Sequence, residues 1–140
     1  MREVKFRAWD SEANIMVYSD HRTRKLYDVY YGFEMNESGL LECRWEGDFT
    51  ESHVLDGGTL DNIMQYTGLK DKNSKEIYEG DILEVYDRKG ENPIANVEVY
   101  WNNGYWDAKD SRDDCFRSCY AGFSKNKIIG NVHENPELIK

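Results

Sequence analysis

Cations are scarce in this chain: 18 Lys and Arg stand against 27 Asp and Glu, a formal net charge of −9. That deficit argues against a general nucleic-acid coat, which needs a surplus of cations over the phosphates it neutralises. Cysteine is also sparse and odd in number. Cys43, Cys115 and Cys119 do not make the even set of a disulfide framework. Together with the scattered His21, His53 and His133 they do not make the paired ligands of a zinc site. The expectation is free thiols in a reducing compartment, with no metal and no cofactor. No apolar run approaches the ~18 residues a membrane span needs. The basic start Met1-Arg2-Glu3-Val4-Lys5-Phe6-Arg7 is followed by no apolar stretch, so no secretory signal is expected. A cytoplasmic setting follows as an expectation. The phosphate-cradling and metalloprotease patterns GxGxxG, GxxxxGK[ST] and HExxH do not occur.

Aromatic residues, by contrast, are plentiful at 14% of 140 residues. Large rings build a core from few positions, so one folded domain is expected and whole-chain disorder is not. The dominant period is two. Val4, Phe6 and Ala8 alternate with Lys5, Arg7 and Trp9, a half-buried strand ended by Asp10-Ser11. Ile15 to Tyr18 is its return strand. The clearest stripe is Tyr27, Val29, Tyr31, Phe33 and Met35, and Leu41, Cys43 and Trp45 continue it after the turn Asn36-Glu37-Ser38-Gly39. Asp56-Gly57-Gly58 reads as a loop.

Beyond it, Asp71-Lys72-Asn73-Ser74 is a tight turn and Gly80 a bend before the strand Ile82 to Tyr86. Asp87 to Pro93 is a polar loop. Val97, Val99 and Trp101 alternate into Asn102-Asn103-Gly104, a strong hairpin signal that turns the chain back into Tyr105-Trp106. Helix is expected in two short pieces only. One is capped by Ser111 with Asp114, followed by Cys115, Phe116, Cys119 and Tyr120; the other is capped by Asn135 ahead of Pro136 and Glu137.

Function is less legible. Carboxylate pairs such as Asp113-Asp114 and Glu79/Asp81 are cheap in so acidic a chain, and a Cys119–His133 nucleophile lacks any recognisable loop. An enzyme is therefore not expected. Two surfaces stand out. His21-Arg22-Thr23-Arg24-Lys25, beside Tyr27, Tyr30 and Tyr31, puts cations next to rings, the pattern that single-stranded nucleic acid exploits through phosphate contacts to Arg22, Arg24 and Lys25. Its plainer reading, favoured at this net charge, is a polar hairpin loop. The hairpin rings Trp101, Tyr105 and Trp106 are a candidate ligand or partner surface if they line a groove, and barrel filling if they are buried.

Three segments together resemble the YopX family of phage and prophage proteins. They are Phe6-Arg7-Ala8-Trp9-Asp10; Met64 to Leu83, with Gln65 to Asp71 and Glu76 to Ile82 the closest stretches; and Ile129 to Leu138. Ser74 stands where the family usually has a turn glycine, which implies that Asn73 carries the positive φ, and His133 stands where a tyrosine is usual. The resemblance implies a mainly β fold with an SH3-like small barrel from about residue 64 to 140. An N-terminal β-hairpin layer over about 1–63 packs on it, with little helix. It also implies phage origin and a bacterial host cytoplasm, and it implies no activity. The leading expectation is a non-enzymatic binding module for a host or phage protein, with a single-stranded nucleic-acid binder second and an enzyme of unknown reaction third. A homo-oligomer through the strands between Leu26 and Trp45 is expected from the uncovered stripe.

Overall fold

The computed structural model describes residues 3–26, 29–45, 58–60, 62–110 and 123–140; over them the protein is mainly β with almost no helix. The chain divides into two compact units, Lys5–Gln65 and Tyr66–Lys140 with Met1–Val4. In the first, β1 (Phe6–Asp10) and β2 (Ile15–Tyr18) form an antiparallel hairpin with Arg7 opposite Tyr18 and Asp10 opposite Ile15. A four-stranded antiparallel sheet follows: β3 (Arg24–Leu26), β4 (Val29–Met35), β5 (Leu41–Trp45) and β6 (Gly58–Leu60) in sequential order. The first residues of β7 (Ile63–Lys70) pair with the free side of β1, Ile63 opposite Ala8. Ala8, Val17, Tyr31 and Cys43 form the buried core, and Ile15, Phe33, Trp45, Leu60 and Ile63 pack on it.

Three details depart from the alternation argument. The strand β1 starts at Phe6, leaving Val4 exposed, and Arg7 on its expected polar face is buried. Alternation sets which face a side chain takes, but whether that face is wet depends on what packs over it. The basic stretch at 22–25 is not simply a loop: Arg24 pairs with Tyr30 in the β3–β4 ladder, and Thr23 accepts the Tyr31 N–H at 3.0 Å. The apolar stripe also fades along β4, from buried Tyr31 through half-buried Phe33 to exposed Met35. Tyr27, Asp28, His53, Asp56 and Gly57 lie outside the described residues, as do Asp113, Asp114 and the helix expected over Ser111 to Tyr120 with its two cysteines.

In the second unit the rest of β7 pairs with β8 (Glu76–Tyr78), Tyr66 opposite Tyr78. The sheet that follows has β9 (Asp81–Tyr86), β10 (Pro93–Asn102), β11 (Tyr105–Lys109) and β12 (Lys127–Asn131) in the order β11-β10-β9-β12, all antiparallel. It curls into a half-barrel. Register breaks between Pro93 and Ala95 and between Ile128 and Gly130 bend it, as bulges do. Ile77, Leu83, Val85, Val97, Val99, Trp106, Ala108 and Phe123 form the buried core of this unit. Each large aliphatic buried there contributes about 1.5–3 kcal/mol against exposure. Short 3-10 turns stand at Phe123–Lys125 and Pro136–Ile139.

The turns rest on side-chain acceptors. Asp71 Oδ1 accepts the N–H groups of Asn73 and Lys75 at 2.8 and 2.9 Å, while its Oδ2 accepts Ile128 N–H at 3.0 Å. The positive φ falls on Ser74 itself, at 63°, and not on Asn73. The bond from Ser74 N–H to the Asp71 carbonyl at 3.0 Å closes a tight turn whose last residue must be left-handed, whatever its type. Asn103 and Gly104, at φ 45° and 115°, make the expected two-residue hairpin turn. Asn135 does not cap the last turn with its side chain. Its Oδ1 instead accepts Asn131 N–H at 3.3 Å, which sets the amide against Gly130.

Two substitutions follow. Ser74→Gly relieves the left-handed strain and raises stability by about 0.5–1 kcal/mol after glycine's added unfolded-state entropy; chemical denaturation measures it, and a loss would contradict the strain. Gly130→Ala brings a Cβ within 2.5 Å of Asn135 Oδ1. It lowers stability by about 1–3 kcal/mol. Adding Asn135→Gly to Gly130→Ala costs less than the two single changes together, because the clash is gone.

Candidate functional site

At the end of β1 the chain must reverse, and Asp10 supplies the acceptor. Its Oδ1 takes the N–H groups of Glu12 and Ala13 at 3.0 and 3.2 Å, which shapes the turn into β2. Its Oδ2 takes the Lys25 ammonium at 2.6 Å and the Tyr31 hydroxyl. Lys25 comes from β3 and Tyr31 from β4, so one carboxylate joins three strands. Asp10 is 2% exposed, which makes these four donors necessary rather than ornamental. Lys25 also lies over the Trp45 indole, 3.9 Å from its ring centre, and Trp45 meets Tyr31 edge-on at 5.9 Å. Tyr31 and Trp45 face each other because they are directly paired across β4 and β5.

Beside this cluster opens a cleft of about 200 Å³ lined by Trp9, Asp10, Ser11, Glu12, Trp45, Leu60 and Asn62. Glu12, Ser11 and Asn62 are exposed at its mouth, while Trp9, Trp45 and Leu60 are half-buried walls. The titratable groups behind it are displaced from their ordinary values. Burial pushes Asp10 up, but the bonds from Lys25, Tyr31 and Ala13 N–H outweigh it and hold the carboxyl below the usual range. Burial and the Asp10 charge raise the Tyr31 hydroxyl, and burial with the same charge pushes the Cys43 thiol up to about 12. Near neutrality the acid stays charged, and the phenol and thiol stay protonated.

The residues singled out from the sequence do not converge. Lys25 is committed to Asp10, with 12% of its side chain exposed. Arg22 stacks on Tyr30, 3.6 Å from the ring centre, and Arg24 is exposed. The hairpin rings divide between two faces. Trp106 sits in the second unit's core, whereas Tyr105, one residue earlier, points the opposite way because successive strand residues alternate. Trp101 is paired with Trp106 and meets it edge-on at 4.9 Å, yet it is half exposed at the hairpin end. The three rings therefore line no common groove. On the Tyr105 face, Asn102 donates to Tyr105 and Asp107 at 3.0 and 3.2 Å. Among the described residues, no group of three or more His, Cys, Asp or Glu gathers as a metal site, and no helix is long and apolar enough to cross a membrane.

Sequence reasoning missed the cleft. It read Asp10 as a strand terminator and Trp45 as stripe filling. The available signal was the Trp9-Asp10 pair inside the first motif, but its partners Lys25 and Tyr31 lie 15 and 21 residues away.

A mainly β chain with a curled half-barrel, Asx-braced turns and these motifs defines the class. The chain belongs to the YopX family: the YopX protein family matches it over residues 5–140. It is also similar to protein EF1440 from Enterococcus faecalis, known from a crystal structure, at 26% identity and a TM-score of 0.53 over 100% of both chains. No curated protein matches it.

The displaced groups set a pH profile. Asp10 and Asp71 are held below the ordinary carboxylate value of 3.8, so the stability they supply is present above it and lost as pH falls through their folded values. Cys43 is raised, so its contribution is full below 9.0 and disappears as pH climbs towards about 12; that of Tyr31 starts to go above 10.0. Urea titrations across pH are expected to give a plateau with an alkaline limb starting near 9.0, and Cys43→Ala moves that onset to about 10.0. An onset that stays in place in the variant contradicts the raised thiol.

Proposed function

We propose that the protein is a non-enzymatic binding module that acts on a basic protein of a bacterial host or its phage, in the cytoplasm. One observation carries this reading: the reactive groups behind the cleft are already satisfied, while its mouth offers indole walls and a carboxylate. Asp10 has four donors, and the Tyr31 hydroxyl and Cys43 thiol stay protonated near neutrality, so none of the three is poised to transfer a proton or attack a carbonyl. Recognition uses the features that remain.

Charge supports a basic partner. Residues 5–65 carry six Lys or Arg against twelve Asp or Glu, and the whole chain stands at −9. Such a field steers cationic surfaces inward and repels phosphate. Single-stranded nucleic acid is disfavoured for a second reason, since the Lys25 ammonium is neutralised by Asp10. The β9 to β12 sheet and its tight hairpins support reading the second half as an SH3-like barrel, a fold that commonly serves recognition.

The test presents the intact chain to arrayed peptides of one length and graded Arg/Lys content, with acidic peptides and an oligothymidylate alongside. Retention is expected to rise with cationic content and fall as salt screens it. Preference for the oligothymidylate, or indifference to peptide charge, overturns the proposal.

A further inference from the structure

We infer that the cleft between Trp9 and Trp45 receives a single arginine or lysine side chain of that partner, with Glu12 as its counter-ion. The inference rests on the basic-partner reading and names the subsite.

Size comes first. About 200 Å³ accommodates one long side chain, and a helix with its side chains, about 10–12 Å across, does not enter. The lining then suits a side chain that is apolar along its stem and cationic at its tip. Trp9, Trp45 and Leu60 supply apolar surface for methylenes, and exposed Ser11, Asn62 and Glu12 supply acceptors.

Electrostatics select the sign. Asp10 also lines the cleft, but its oxygens already hold four donors and Lys25 cancels its charge. Glu12 is exposed and adds the further negative charge, which raises the Tyr31 hydroxyl from nearby. An anion entering here meets Glu12; a cation finds it as a partner. The Lys25 ammonium already occupies one face of Trp45, 3.9 Å from the ring centre, so an entering cation meets only the remaining indole surface of Trp45 and Trp9. Indole faces attract cations through their quadrupole, and arginine stacks on them more readily than lysine does.

The experiment follows the indole N–H resonances of Trp9 and Trp45 in the intact chain during titration with the capped tripeptide Gly-Arg-Gly. Its citrulline counterpart and spermidine are titrated in parallel. Saturable shifts at both indoles are expected with the arginine peptide, with citrulline, which keeps shape but loses charge, about tenfold weaker. Glu12→Gln, an exposed change that leaves the backbone bond to Asp10 intact, weakens the arginine peptide about fivefold. Equal binding of citrulline, or affinity unchanged in Glu12→Gln, overturns the inference. Spermidine binding as tightly as the peptide overturns the assignment to a protein side chain. Basic peptides that bind without moving either indole overturn the subsite and leave the basic-partner reading standing. If no basic peptide binds anywhere, both fall.

Discussion

A backbone N–H that leaves water must find an acceptor, and in short strands the ladder ends before every amide is served. This chain answers that constraint with the side chains of Asp and Asn. Asp10 serves the amides of Glu12 and Ala13; Asn36 serves Ser38 and Leu40; Asp71 serves Asn73, Lys75 and Ile128. Asp81 takes Tyr78 N–H, Asp87 takes Glu91 N–H, and Asn131 takes those of His133 and Glu134. Asp10, Asp71, Asp81 and Asn131 stand inside the motifs that mark the family, while Asn36 and Asp87 lie outside them. The motifs are thus explained as reversals whose geometry fails without a short side chain bearing an oxygen.

Asp71 and Asp10 show how such a local device becomes a tertiary one. Each spends one oxygen on its own turn and the other on a distant strand: Asp71 on Ile128 in β12, Asp10 on Lys25 and Tyr31. Removing Lys25 leaves the buried Asp10 charge without its counter-ion, a cost of about 3–5 kcal/mol for a broken buried pair. The same arrangement quiets the chemistry of the first unit. A carboxylate saturated by four donors holds strands in place beside the adjacent cleft.

Much of the strand pattern was legible in sequence because its signals are local. Alternation located β5, the turn after β1 located β2 as its return strand, and Asn103-Gly104 fixed the β10–β11 hairpin, since a left-handed pair of residues there leaves few other turns available. The YopX motifs were readable for the same reason. Alternation also held, one residue at a time, the information that Tyr105 and Trp106 face opposite ways.

What only the folded structure decided includes local competition within turns as well as contacts at longer range. Whether Arg24 is loop or ladder depends on Tyr30 arriving beside it. Which residue of the Asp71 turn is left-handed depends on how the hairpin closes, so Ser74 takes the strain that a substitution rule assigned to Asn73. Asn135 abandons its cap because Asn131 N–H competes for the same oxygen. The cleft is the strongest case. Its carboxylate, ammonium and phenol come from three strands separated by 15 and 21 residues, and their charges are meaningful only once burial removes water from between them. Sequence alone determined much of where this chain extends and turns, because those preferences act over a few bonds. Only the folded chain decided which charges meet, because that depends on strands paired through space and on the solvent they exclude.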